Sequence, residues 1–155
     1  MGQVPLLGGS LGNGQSHAGL CHPDVVKAVV WVSSWQMECC GDPFDVGSRV
    51  TWTAEAAGHD EWLMDALDPG TARRISHVEE HHSDGSSGLV ELRGVVRSIV
   101  QAWGRYAART PDARVLHSVP GSAAYVAVQD SALPDRSANP SLTFNGWIVD
   151  LDLDD

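Results

Sequence analysis

The chain has 155 residues, 43% of them apolar, so it can bury one core without depending on disulfides or metal and is too apolar for wholesale disorder. Twenty Asp and Glu against ten Lys and Arg give a net charge of −10, and a field of that sign repels the phosphate backbone of double-stranded nucleic acid. No apolar run approaches the length of a membrane-spanning helix.

Residues 1–23 are rich in Gly, Ser, Asn and Gln and lack both the basic start and the apolar centre of a secretory signal. They are expected to form a flexible extension, with Cys21 and His22 inside it, ahead of a single β-rich domain over residues 24–155. Asp24 to Trp35 is the clearest strand. Its Val and Trp residues favour a pleated surface, and Val29, Trp31, Ser33 and Trp35 share one face while Val30, Val32 and Ser34 share the other. Cys39-Cys40-Gly41-Asp42-Pro43 reads as a turn, because Gly and Asp-Pro interrupt strand pairing. A second strand comes next through Val50 and Trp52, entered at Phe44-Asp45-Val46-Gly47, where Gly47 permits a bend. The pattern of that stretch is similar to small SH3-like and OB-like barrels.

The run Trp35-Gln36-Met37-Glu38-Cys39-Cys40-Gly41-Asp42-Pro43-Phe44, the step Val46-Gly47, and the later Gly146-to-Asp152 strand together resemble a family of small uncharacterised actinobacterial proteins. The histidine-rich segment His77 to His82 belongs to the same likeness. It covers residues 25–152 and implies domain boundaries, with no assigned reaction.

Asp60 to Leu67 is a short helix: Asp60 caps it, Glu61 suits its positive end, and Trp62, Leu63, Ala66 and Leu67 form an apolar stripe. Pro69-Gly70 is expected to stop it. Residues 71–82 read either as a strand, with His77, Glu79 and His81 on one face, or as a helix that stacks His77 on His81. Leu89 to Tyr106 carries a helical stripe, but its β-branched residues and Gly94 and Gly104 favour a long bent strand. Residues 114–119 and 123–128 flank Pro120-Gly121-Ser122 as a hairpin. Leu142 to Leu153 is the last strand and runs into solvated acidic charge.

Three cysteines, two of them adjacent, do not make a disulfide framework, so a reduced cytoplasmic setting is expected. The six tryptophans are expected mainly in the core. His77-Val78-Glu79-Glu80-His81 spells H-x-x-E-H, in which two histidines on a helix hold zinc; the further acidic ligand such enzymes need is missing, since no Glu occurs after Glu91. A looser zinc site joins Cys39 or Cys40 to His77, His81 or His82, with Cys40, His77 and His81 as the preferred set, because thiolate and imidazole both suit zinc. The bland alternative makes the cysteines buried and inert and the histidines hydrated. A thiol nucleophile activated by histidine and oriented by Asp42 is a further alternative. Gly8 to Gly14 has no Gly-Lys-Ser/Thr and is not a phosphate loop.

The sequence thus predicts a mainly β fold, a small SH3-like or OB-like barrel or a two-sheet domain with one short helix. The expected role is a binding or accessory module for a protein or small-molecule partner, with no membrane. The alternative is a zinc-binding protein, hydrolytic in its extended form. Exposed strand edges would allow a homodimer, and single-stranded nucleic acid on an OB-like face is a third class that the charge opposes.

Overall fold

The computed structural model describes residues 24–58, 60–82 and 88–155, so the expected extension and its Cys21 and His22 lie outside the described residues. Five strands close into a barrel: β1 (Lys27–Ser33), β2 (Arg49–Ala56), β3 (His77–Glu79), β4 (Leu89–Gly104) and β8 (Thr143–Leu153). Around the ring β1 pairs with β8, β8 with β4, β4 with β2, β2 with β3, and β3 returns to β1 as the single parallel joint. This is the cyclic order of an OB-type barrel in which the chain joins the ring at a different strand. Three short strands, β5 (Tyr106–Ala108), β6 (Leu116–Ser118) and β7 (Ala124–Val128), lie in the excursion between β4 and β8.

Alternation decides which residues fill the barrel. Val30 and Val32 of β1 and Trp147, Val149 and Leu151 of β8 point inward with Trp52, Ala54 and Val96. The intervening Trp31 and Ile148 point outward, where two short helices, α2 (Glu61–Ala66) and α3 (Pro69–Arg74), cover them with Leu63, Leu67 and Ile75. Both faces of β1 and β8 are therefore buried. That explains why the apolar run of β1 lacks the clean in-and-out pattern of a half-solvated strand.

The 16-residue β4 survives as a strand because it bends. Its pairing with β8 shifts between Val96 and Ser98 and again between Ala102 and Trp103, leaving Arg97 on β4 and Asn145 on β8 as the unpaired bulge residues. A bulge reverses the facing of the residues beyond it, so Phe144 turns back toward the interior beside Trp147. At Gly94 the chains come so close that a Cβ would collide with the Asp152 carbonyl. Gly47 has φ +90°, the left-handed turn that leads into β2.

Four expectations need correction in detail. β1 ends at Ser33, and Ser34 to Cys39 form a helix, α1, in place of further strand and turn. Pro69 does not stop α2 alone; it sits in the first turn of α3 behind an Asp68 cap, where its missing N–H costs nothing. Among the described residues there are thus three short α-helices rather than one. Finally, β6 and β7 do not pair as a hairpin: β6 pairs with β5, and β7 adds to β4 outside the barrel. Gly121, at φ +78°, still turns the chain between them. Among the described residues no helix is long and apolar enough to cross a membrane.

Candidate metal centre and the cleft beside it

Helix α1 is placed by one buried residue. Gln36 donates from Nε2 to the Glu79 carbonyl at 3.2 Å and accepts at Oε1 from the His81 N–H at 2.8 Å. Its amide thus pairs both backbone groups at the end of β3, which no strand neighbour reaches. Helix and strand end are fastened together, and Cys39 and Cys40, at the last turn of α1, arrive opposite His82. Gly41 suits the exit, because a Cβ there would lie 2.9 Å from the Met37 Cα as well as against its sulfur.

One ligand atom each from Cys39, Cys40 and His82 lies within 4.8 Å of the others, and all three residues are exposed. Cys40 Sγ stands 3.5 Å from His82 Nε2. A tetrahedral zinc with ordinary bond lengths of about 2.3 Å to sulfur and about 2.0 Å to nitrogen would need an S···N edge of about 3.5 Å. The imidazole is also held in place: it stacks on Trp35 with centroids 5.6 Å apart and planes 10° from parallel. The His82 N–H donates to Glu80 Oε1 at 2.9 Å. The trio can therefore hold a metal ion without rearranging its strands.

Of the preferred sequence ligands, the fold brings only Cys40 to this cluster, and the histidine it meets is His82. His77 shares a 2.9 Å hydrogen bond with the Ser76 hydroxyl through Nδ1, back along β3. His81 Nδ1 lies against Glu79 Oε1. Because residues 77–79 form a strand, His77 and His81 are not stacked one helical turn apart, and the H-x-x-E-H spacing has no zincin geometry. The thiol-nucleophile alternative finds its histidine in His82, 3.5 Å from Cys40 Sγ. A hydrogen bond with the Cys39 thiol, then desolvation and the neighbouring sulfur's charge, push the Cys40 thiol up from its ordinary value, away from the reactive thiolate.

Glu79, not singled out from the sequence as a buried group, faces the barrel interior opposite Ala54 and is 1% exposed. Burial, and secondarily the charge of Glu80, push its carboxyl up to about 8. Its Oε1 lies in ion-pair contact with His81 Nδ1, and neither carboxyl oxygen accepts a hydrogen bond among the described residues. Only the strand register, which puts odd-numbered residues of β3 inward, could have revealed this from sequence.

A cleft of about 540 Å³ opens between α1 and α2. Four tryptophans, Trp31, Trp52, Trp103 and Trp147, are buried as expected, but Trp35 and Trp62 remain 56% and 41% exposed and flank this cleft. Trp62 leans on Trp31 at its floor, with centroids 5.8 Å apart. Tyr106 closes another side and donates its hydroxyl to Asn145 Oδ1 at 2.8 Å, so the bulge in β8 is the feature that carries Asn145 to the cleft wall. Asp60 and Glu80 supply the charge on the lining.

Residues 26–153 match the model of a family of unknown function, DUF6578, and the chain belongs to that family. No curated protein and no solved structure matches it.

Proposed function

We propose that this domain is a metal-binding barrel that holds zinc through Cys39, Cys40 and His82. The observation that carries the reading is the 3.5 Å Cys40–His82 separation, equal to the edge of a tetrahedral zinc site, on a ring already oriented by Trp35. Two thiolates and an imidazole are a donor set that favours zinc over calcium or magnesium. Three protein donors leave one coordination position open to solvent, as in sites that admit an outside ligand. Free vicinal thiols are compatible with a reducing cytoplasm.

Untagged protein analysed by elemental mass spectrometry is expected to carry about one zinc per chain. Cys39→Ser/Cys40→Ser and His82→Ala should each lose it, while His77→Ala and His81→Ala should retain it. Zinc-free wild-type protein that also fails to take up added zinc would sink the proposal. Hydrolase screening of the loaded protein then tests the hydrolytic extension.

The cleft favours a second, compatible reading, in which the barrel is a binding module for a small molecule. Its volume lies in the usual range for small-ligand sites, and two exposed tryptophans at its rim are costly surface without an occupant.

A further inference from the structure

We infer that the cleft between α1 and α2 is a binding site for an organic cation, held over the Trp31–Trp62 pair and between the carboxylates of Asp60 and Glu80. This deepens the binding-module reading and rests on it; the cleft adjoins the metal site through Glu80, which accepts from the His82 N–H, and Trp35, which stacks on His82.

Three observations, one on the indoles and two on the carboxylates, converge on that class. First, the cleft lining carries an exposed indole. Trp62 is 41% exposed and leans at 57° on the buried Trp31, which fixes the Trp62 ring on the cleft wall. Indole faces carry the strongest negative quadrupole of any side chain, and they attract ammonium groups within about 6 Å of the ring. Second, the formal charge on the lining is of one sign. Asp60 and Glu80 border the cleft, and no Lys or Arg does so among the described residues. A phosphate or carboxylate ligand would meet repulsion there, in a chain whose net charge is already −10. Third, both carboxylates are already fixed. Asp60 Oδ1 caps α2 by accepting from the Trp62 N–H at 2.8 Å, and Glu80 Oε1 accepts from the His82 N–H at 2.9 Å. Neither forms an ion pair among the described residues. Their charge is thus held on the cleft lining without a cationic partner among the described residues.

The same two hydrogen bonds supply a clean test. Asp60→Asn keeps a capping oxygen and Glu80→Gln keeps an acceptor for His82, so the double variant removes charge while preserving the fold. Choline, benzyltrimethylammonium and phenethylammonium would be titrated into full-length protein, with 3,3-dimethylbutan-1-ol and benzyl alcohol as neutral counterparts. A chelator in the buffer keeps any metal effect apart. Binding is read from the indole N–H signals in two-dimensional NMR. At least one cation should saturate and shift the Trp62 signal, binding about 10-fold more tightly than its neutral counterpart. The charge-neutral double variant should erase that preference, and Trp62→Leu should weaken the cation alone. No saturable shift from any of the three cations would overturn the inference. So would equal affinity for the neutral compounds, or a cation preference that persists in the double variant.

Discussion

At the end of the barrel where β8 finishes, Asp150, Asp152 and Asp154 leave the strand on alternate residues, beside Arg74, Arg97 and Arg49. Ser98 also donates to Asp150 at 2.6 Å. At the opposite end, where β1 hands over to α1, Glu79, Cys39, Cys40 and His82 gather, and none of the four is paired with Lys or Arg among the described residues. Both ends are polar, and they are made from the same strands. One uses opposite charges to neutralise a strand that would otherwise carry its acid into solvent. The other leaves a buried carboxyl against a single imidazole, His81, and sets two thiols and a second imidazole facing one another at the surface. Converging chemistry without neutralising charge at one end of the barrel is what separates a site from a surface.

The strongest way to probe the unpaired end is pH. Glu79 has its folded value raised to about 8 from an ordinary 4.5, so the folded state holds a proton that the unfolded chain releases. Its contribution is fully present below the ordinary value and is lost as pH rises toward about 8. Across that window stability should fall by about 1.4 kcal/mol per pH unit, as measured by urea denaturation of metal-free protein at stepped pH. Glu79→Gln is uncharged at every pH and should flatten the slope. An unchanged profile in that variant would mean that the buried carboxyl is satisfied after all, and the contrast between the two ends would collapse.

The paired end is tested first through its backbone. Gly94→Ala places a Cβ against the Asp152 carbonyl, which belongs to a paired strand and cannot give way as a flexible side chain would. The expected loss is about 2 kcal/mol or more, with a lower urea midpoint and an unchanged slope. If the loss is negligible, β4 and β8 tolerate slippage at the acidic end, and their register there is looser than the pairing implies.

The barrel was legible in the sequence because its strands are long or rich in β-branched residues. Val30, Val32, Val96, Ile99 and Val149 lie in the core, and the preference for a bent strand over residues 89–106 holds for Leu89–Gly104. Helix α1 was hidden because its first residues continue the β1 pattern. A tertiary bond turns them into a helix, from Gln36 to the end of β3, and no local propensity records it. The site was half legible for the same reason. Adjacent cysteines and a histidine cluster mark thiolate and imidazole chemistry by type, but choosing among His77, His81 and His82 requires the strand facing and the place where α1 docks. The aromatic cleft was illegible: nothing in the spacing of Trp35 and Trp62 separates them from the four buried tryptophans. It takes the bulge at Asn145 and the position of α2 to set them around one opening.

The smallest expected effect concerns the charges themselves. Arg97 is the bulge residue of β4, and its guanidinium reaches Asp152 across the strand pair with its own side chain 60% exposed. An ion pair that open to water gains little, because solvent screens the attraction and ordering the long side chain costs entropy. Arg97→Gln should therefore cost no more than about 1 kcal/mol in low salt, and the difference should fade at about 1 M salt, where charges are screened within about 3 Å. A salt-insensitive loss well above that size would assign Arg97 a packing role in holding the bulge open. Charge neutralisation would then not explain the acidic end, and the bulge would be the feature that separates the two ends of the barrel.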